Sequence, residues 1–299
     1  MVNVNVIYTN DSAAQRFVES CENNFNKNIE KICDSIVSDR NVKIITLCGP
    51  TCSGKTTTAS RLTDGLEKRG RKAKVISIDD FYYDESLMIA KNITNFEVVD
   101  AIDLELFSET VSKLVKGEKA TLPLFDFKLR KREAGAEYVP EANDIYIIEG
   151  IQAMYPEVSA VLKQHNVKSI FINVTKDVTI CDIDFRKDEI RLMRRIVRDY
   201  FNRGSAPDKT MELWGNVREN EEKSIIPYAN NADYLINSLL LYEVFIISKY
   251  FIDITDDYNA TKKGYEVIRS LRERLSSLTG SCISSAMVPK ESVFREFIV

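Results

Sequence analysis

The chain has 299 residues, of which 44% are hydrophobic and 29% charged, and its formal net charge at pH 7 is −4. These values fit a folded globular protein of one large or two modest domains, whereas a general nucleic-acid binder would be basic. No apolar run approaches the roughly 20 residues that a membrane span needs, residues 1–10 do not read as a secretory signal, and the six cysteines form no CxxC pair, so a cytoplasmic protein with free thiols is expected.

The first predicted element is an amphipathic helix between residues 12 and 39. Apolar side chains recur there at steps of three and four, as at Phe25, Ile29, Ile32 and Ile36. We expect residues 1–40 to form an N-terminal helical extension that packs on the domain that follows.

Short β-prone runs then alternate with helical stretches from residue 41 to residue 257. The runs are 42–49, 74–79, 144–150, 169–174 and 232–238. Such alternation predicts an α/β fold in which helices cover both faces of a parallel sheet. Two further helices, at about 241–257 and 261–277, predict a C-terminal helical extension, with a last helix and tail at 258–299.

A phosphate-binding motif joins the first run to the helix that begins at Lys55. Residues 49–56 read GPTCSGKT and fill every fixed position of G-x-x-x-x-G-K-[ST]. The glycines let backbone N–H groups converge on phosphate oxygens, and the helix N-terminus adds the positive end of its dipole. Lys55 is expected to reach the β- and γ-phosphates and the Thr56 hydroxyl to ligate Mg²⁺, so the expected cofactors are ATP and Mg²⁺. The predicted nucleotide-binding residues of the loop are Gly49, Thr51, Cys52, Ser53, Gly54, Lys55, Thr56 and Thr57.

Acidic residues end two of the predicted strands, where ligands of open α/β sheets bind. Asp79 and Asp80 end the second run, and only one of them is expected to face the site. Asp79 is expected to accept a proton from an attacking hydroxyl, and a turn-capping role suits Asp80 better. Glu149 ends the third run at a Walker B position and is expected to hold Mg²⁺, with loop capping as the alternative. The single histidine, His165, lies in a polar stretch, which leaves proton transfer to carboxylates.

An arginine-rich helix is predicted at about residues 186–204. Steps of three and four place four arginines on one broad face: Arg191, Arg194, Arg195 and Arg198. Taken alone, such a run usually marks a solvated face paired with neighbouring acids. After a phosphate loop and two acidic strand ends, it predicts a mobile lid whose arginines contact the triphosphate and stabilise the charge on the transferred group.

Six motifs, taken in order, resemble the uridine kinase/phosphoribulokinase family of P-loop kinases. Between about residues 42 and 240 they read GPTCSGKTT, SIDDFY, LPLFDF, IIEGI, RLMRRIVRD followed by RG, and ADYLIN; a GTPase is not expected, because residues 173–177 do not match N-K-x-D. The resemblance implies a P-loop NTPase fold of the nucleoside-kinase type and transfer of the ATP γ-phosphate to the 5′-hydroxyl of a nucleoside such as uridine or cytidine. Asp79 is then the base and Glu149 the Walker B acid. The lid arginines of the family match Arg191, Arg194 and Arg195.

The same resemblance implies an acceptor pocket. Its residues in this chain are Tyr82, Phe96, Glu97, Phe125, Asp126, Arg130 and Arg132.

The implied pocket departs from the family pattern at three positions. Glu97 is one methylene longer than the aspartate it replaces, Phe125 lacks the hydroxyl of the usual tyrosine, and Arg130 stands where pyrimidine-specific members have a histidine. Because a swapped polar reader changes acceptor discrimination strongly, two alternatives stay open: a kinase of a sugar phosphate or other small alcohol, and a non-catalytic nucleotide-binding regulatory protein. The sequence also leaves open whether the chain forms a homo-oligomer.

Overall fold

Strands and helices alternate along the chain, as the sequence pattern predicts. The structure, a computed structural model, describes residues 2–93 and 95–298. Its strands are β1 (Val2–Val4), β2 (Ile44–Cys48), β3 (Ala73–Ser77), β4 (Ala120–Asp126), β5 (Lys131–Tyr138), β6 (Ile145–Glu149), β7 (Val167–Asn173), β8 (Val178–Ile180), β9 (Ile183–Phe185) and β10 (Tyr234–Asn237). Its helices are α1 (Asp11–Ser38), α2 (Lys55–Glu67), α3 (Glu85–Ala90), α4 (Leu104–Val115), α5 (Pro156–Leu162), α6 (Lys187–Arg203), α7 (Pro207–Ser224), α8 (Glu243–Ile254) and α9 (Tyr265–Ser276).

Five strands form a parallel sheet in the order β10-β7-β2-β6-β3. All five residues of β2, the central strand, are buried. Leu47 of β2 lies opposite Glu149 of β6, and Glu149 lies opposite Ser77 of β3. The carboxyl ends of these three neighbouring strands are therefore level with one another, and the segments that follow them meet at one edge of the sheet.

Both faces of the sheet are covered, which confirms the predicted fold class. Side chains alternate between the faces along a strand, so Ile45 and Leu47 enter one apolar layer while Ile44 and Cys48 enter the other. Helices α1, α2, α6, α8 and α9 contribute to the first layer, and α4, α5 and strand β4 contribute to the second.

Two smaller sheets lie outside the predicted pattern. Strand β1 pairs in parallel with β8, which pairs antiparallel with β9, and β4 forms an antiparallel hairpin with β5. The strands of the first sheet have three residues each, and β5 (KREAGAEY) is mostly polar. Neither sheet therefore shows the alternation of apolar and polar residues from which a strand is predicted. These strands are stabilised by their partners rather than by a local signal.

The N-terminal helix shares its buried core with the central domain. Phe25 and Ile29 of α1 and Phe294 of the C-terminal segment belong to the same cluster as the apolar residues of α2. The predicted limits at residues 40 and 258 therefore do not separate independent cores. All six cysteines are free, and no helix within residues 2–93 and 95–298 is both long and apolar enough to cross a membrane.

The contact between α1 and α2 predicts an unusual response to a glycine substitution. An alanine methyl at Gly65 of α2 would lie 2.7 Å from the Cys33 Sγ of α1. We expect Gly65→Ala to lower the free energy of unfolding by about 1–3 kcal/mol through overpacking. That loss exceeds the roughly 0.5–1 kcal/mol that alanine usually adds to a helix. Urea unfolding followed by circular dichroism measures the difference.

Gly215 of α7 provides the matched control, because a methyl group added there meets no atom within 4 Å. Gly215→Ala should therefore raise the free energy of unfolding by about 0.5–1 kcal/mol. Stabilisation by both substitutions would contradict the close packing of α1 on α2.

Candidate active site

The loop between β2 and α2 is a tight turn that requires its glycines. Cys52 and Gly54 adopt left-handed backbone conformations, with φ of 57° and 90°. A side chain at Gly49 would collide with the carbonyl oxygen of Ile172 in β7. Turns of this kind direct successive N–H groups into one concavity, which is a typical anion-binding geometry.

Two arginines of α6 hold this loop from its inner side. Arg194 Nη1 donates to the Cys52 carbonyl at 3.1 Å, and Arg191 Nη1 donates to the Thr51 carbonyl at 3.3 Å. The C=O and N–H of one trans peptide point in opposite directions. The two arginines therefore turn the amides of the same peptides away from α6.

Each of these arginines is paired with a buried carboxylate from another helix. Arg194 lies 2.8 Å from Glu243 of α8, and both side chains are fully buried. Arg191 lies 2.6 Å from Glu221 of α7, and at most 2% of either side chain is exposed. Burial raises the pKa of Glu243, and the Arg194 charge acts in the opposite direction. Charge-assisted pairs with bidentate geometry are the strong form of this contact.

The structure places α6 inside the molecule, whereas the sequence predicts a mobile lid at 186–204. Eleven consecutive residues of the helix, Glu189 to Asp199, are buried. Arg195 and Arg198 both pair with Asp199, at 3.4 and 2.7 Å. Arg191 and Arg194 thus hold the phosphate loop on the side that faces α6. The arginine spacing alone cannot show this, because their acidic partners lie 30 and 49 residues away along the chain.

Lys55 lies among carboxylates that follow the neighbouring strands. Its Nζ donates to the Pro50 carbonyl at 3.2 Å. Burial raises the pKa of Asp79, and it raises that of Glu149 to about 7, while the positive charge of Lys55 lowers both. The P-loop lysine and the two predicted acids are therefore close enough to interact electrostatically, as the alignment of strand ends requires.

The two adjacent aspartates after β3 have different partners. Asp79 Oδ1 accepts a hydrogen bond from the Tyr82 hydroxyl at 3.1 Å, and Asp80 Oδ1 accepts one from the Phe125 amide at 3.0 Å. Gly150, at the end of β6, makes room for this turn, because a side chain there would collide with Ile78. Asp79 is close enough to Lys55 to interact electrostatically, whereas Asp80 ties the β4–β5 hairpin to the sheet.

The residues predicted to hold Mg²⁺ lie on both sides of the loop. Thr56 is exposed at the start of α2, and Glu149 is partly buried at the end of β6. In the described part of the chain, no three His, Cys, Asp or Glu side chains are grouped to bind a metal. Mg²⁺ usually takes one or two carboxylates and completes its shell with phosphates and water. A cation would offset the burial of the Glu149 carboxylate, so these residues fit that ion.

Three aromatic rings pack together beside Asp79. The ring centroids of Tyr82, Phe96 and Phe125 lie 5.2–5.7 Å apart in edge-to-face arrangements. Gln152, which the sequence gives no reason to select, donates through Nε2 to the Tyr82 hydroxyl and to the Phe96 carbonyl, both at 2.8 Å. Gln152 thus fixes the tyrosine that bonds Asp79.

Glu97 follows the aromatic group and is partly buried. Its Oε2 accepts a hydrogen bond from Asn220 of α7 at 2.7 Å. Burial raises the pKa of Glu97, and Asn220 and the charge of Arg195 lower it. Asn220, 123 residues away in the sequence, has no local signal that marks it as part of the site.

Three predicted acceptor residues have other roles in the structure. Asp126 accepts hydrogen bonds from two amides of the β4–β5 turn, Arg130 is exposed and pairs with Glu85, and Arg132 pairs with Asp103 at 3.0 Å. The partners of these three residues belong to the β4–β5 turn and to the segments that contact the hairpin. Arg132 also donates to the Tyr82 carbonyl at 3.5 Å, and Arg130 lines the same cavity as Phe96.

The chain is similar in sequence to known proteins over the part that carries this site. Residues 44–244 match the sequence model of the phosphoribulokinase/uridine kinase family. A uridine kinase from Clostridium novyi (strain NT) is 30% identical over 196 residues, which are 64% of this chain and 86% of that protein. Uridine-cytidine kinase A from Dictyostelium discoideum is 30% identical over 204 residues, or 68% of this chain. The chain spans only 37% of that second relative's length.

A solved structure shows the same fold. It comes from Silicibacter sp. TM1040 and is described as a candidate fructose transport system kinase. Its TM-score is 0.55 at 22% sequence identity, and the match covers 69% of this chain and 98% of that one.

The buried arginine beneath the loop predicts a large effect on stability. Arg194→Met would leave the Glu243 carboxylate buried without its partner, and we expect the free energy of unfolding to fall by about 3–5 kcal/mol. Arg203→Met, at an exposed position of the same helix, should change it by less than about 0.5 kcal/mol. Chemical denaturation measures both values. Equal, small effects would show that the Arg194 pair is not a structural requirement.

Proposed function

Because this chain belongs to the phosphoribulokinase/uridine kinase family, we propose that it transfers the γ-phosphate of ATP to the 5′-hydroxyl of a nucleoside such as uridine or cytidine. The observation that carries the proposal is the position of Asp79. Its carboxylate interacts with Lys55 of the phosphate loop and is hydrogen-bonded by Tyr82 of the aromatic group. A base between a phosphate site and an apolar pocket is what hydroxyl phosphorylation requires.

The aromatic group favours a planar acceptor. The Phe96 ring is partly exposed and packs on the buried rings of Tyr82 and Phe125, so it would provide the surface on which a base stacks. Glu97 would accept hydrogen bonds from ribose hydroxyls. The cation that would favour a sugar phosphate, Arg130, is paired with Glu85 at the surface. These features and the uridine kinases among the relatives favour a nucleoside over a phosphorylated sugar.

The nucleotide would bind with its phosphates against the loop amides and Lys55. Thr56 and Glu149 would hold Mg²⁺, which supplies neutralising charge at the β- and γ-phosphates when bound. Arg195, whose charge reaches Glu97 on the acceptor side, would face the transferred group. Arg191 and Arg194 would keep the loop amides oriented through their hydrogen bonds to the loop carbonyls.

The chemistry asked of Asp79 is acceptance of one proton from the attacking hydroxyl. The Tyr82 hydroxyl orients the carboxylate, and burial raises its pKa, which makes it a better proton acceptor than an exposed aspartate. The oxygen–phosphorus bond to the acceptor forms as the bond to ADP breaks. Most of the acceleration would come from positioning and electrostatics.

Substitution of the base tests the proposal directly. Asp79→Asn should lower kcat for uridine phosphorylation by about 10²- to 10⁴-fold, because the proton acceptor is lost while the shape is kept. Asp80→Asn retains an oxygen acceptor for the Phe125 amide and should keep kcat within about threefold. Coupled ADP release with Mg·ATP measures both, across nucleosides and sugar phosphates. ADP release indifferent to every acceptor, and equal in Asp79→Asn, would favour a regulatory nucleotide-binding protein.

Glu97 should distinguish ribose from deoxyribose. Loss of its charged acceptor in Glu97→Gln is expected to cost about 1.5–3 kcal/mol, or roughly 10- to 150-fold in kcat/KM for uridine. The same variant should change kcat/KM for 2′,3′-dideoxyuridine much less, because that acceptor lacks the hydroxyls. Equal losses on both acceptors would remove Glu97 from ribose recognition.

A further inference from the structure

The C-terminal segment, Val288–Ile298, packs directly against the phosphate loop. The side chain of Val293 occupies the space that a side chain on Gly54 would need. The Phe297 ring lies 4.7 Å from the Arg194 guanidinium that holds the loop. A short 3-10 turn, Val293–Glu296, presents these groups to the loop.

This segment is anchored and is part of the folded core. Val293, Phe294 and Phe297 are buried. Arg295 donates to three main-chain carbonyls of the residues before the turn. Ser292 Oγ lies 3.1 Å from the Tyr242 hydroxyl of the central domain. The position of the turn relative to the loop is therefore fixed by several independent contacts.

Glu296 places a carboxylate at the start of α2. Its Oε2 accepts a hydrogen bond from the Thr57 hydroxyl at 3.3 Å. Glu296 and Arg198 of α6 are also close enough to interact electrostatically. The N-terminus of a helix that follows a glycine-rich loop is where phosphate oxygens bind. Glu296 thus supplies negative charge at the place that the nucleotide phosphates need.

The loop itself is covered in this arrangement. Cys52 and Ser53 are buried, with 2% and 0% of their surfaces exposed, although a phosphate loop acts through contact of its backbone with a ligand. Arg194 covers the loop from the α6 side, and Val293 covers it at Gly54.

We propose that the C-terminal segment is an autoinhibitory element in which the Glu296 carboxylate substitutes for a nucleotide phosphate at Thr57. The proposal rests on the proposed function, because it assigns the loop to a nucleoside triphosphate. In this closed state the triphosphate and the Glu296 carboxylate compete for one position. Nucleotide binding therefore requires the turn Val293–Glu296 to move away from the loop.

Competition of this kind has a defined effect on affinity. If only a fraction f of the molecules has the loop open, the apparent Kd equals the intrinsic Kd divided by f. A change that weakens the closed state raises f and lowers the apparent Kd. A segment that belonged to the nucleotide site would show the opposite effect, because its loss would raise the Kd.

The decisive experiment measures the Kd of Mg·ATP by titration calorimetry without an acceptor. Glu296→Gln removes the charge and keeps the apolar anchors, and we expect ATP to bind about 5- to 30-fold more tightly than to the unchanged chain. Glu291→Gln is the matched control, since this glutamate is exposed in the same segment, and its Kd should stay within about twofold. An unchanged or weaker affinity in Glu296→Gln would overturn the proposal.

Hydrogen exchange provides a second test that does not depend on a substitution. Addition of a non-hydrolysable ATP analogue with Mg²⁺ to the full chain should speed amide exchange in residues 289–298 at least threefold. Slower or equal exchange there would contradict displacement of the segment.

The two proposals fail in different ways. Tight ATP binding without transfer to any acceptor would reject the kinase activity and leave autoinhibition intact. Transfer with an unchanged Kd in Glu296→Gln would reject autoinhibition alone. Absence of ATP binding in every variant would reject both.

Discussion

The fully buried guanidinium of Arg194 is the contact on which the rest of the site depends. It joins three parts of the chain, because it donates to Cys52 of the phosphate loop, to Ser238 after β10 and to Glu243 of α8. A buried charge is tolerated only when its partners satisfy it, so loop, strand end and helix must be placed together. These contacts fix the direction of the loop carbonyls, and thereby the direction of the amides of the same peptides.

The parallel sheet adds the second requirement, which is proximity of groups from distant sequence positions. The carboxyl ends of β2, β6 and β3 are level with one another. Lys55, Glu149 and Asp79 therefore lie close enough to interact electrostatically, although these residues are tens of positions apart in the sequence. Burial of these carboxylates is unfavourable without a counter-charge, and Lys55 only partly offsets it. The edge of the sheet therefore has the electrostatic character of a site for a cation and a phosphate.

The C-terminal segment contributes to the stability of the fold and also covers the phosphate loop. Its apolar residues complete a core that also includes α1 and α8. One of them, Val293, covers Gly54, and the neighbouring Glu296 contacts Thr57 at the start of α2. Packing energy and closure of the loop thus come from one set of contacts. A modest change in the balance between this packing and a competing ligand would change the population of the open form.

The sequence by itself determined the α/β fold, the phosphate motif and the acids at the strand ends, because each is encoded by a local pattern of period, spacing or fixed residues. Arg130, Arg191 and Arg194 pair with acids that lie 45, 30 and 49 residues away, which no local pattern reveals. Asp126 instead accepts hydrogen bonds from amides two and three residues further along its own turn. No local sequence pattern identifies Asn220 or Glu296 as part of a site. They reach Glu97 and Thr57 across 123 and 239 residues, and only the folded chain, which buries and pairs charges where the backbone brings them together, decides such contacts.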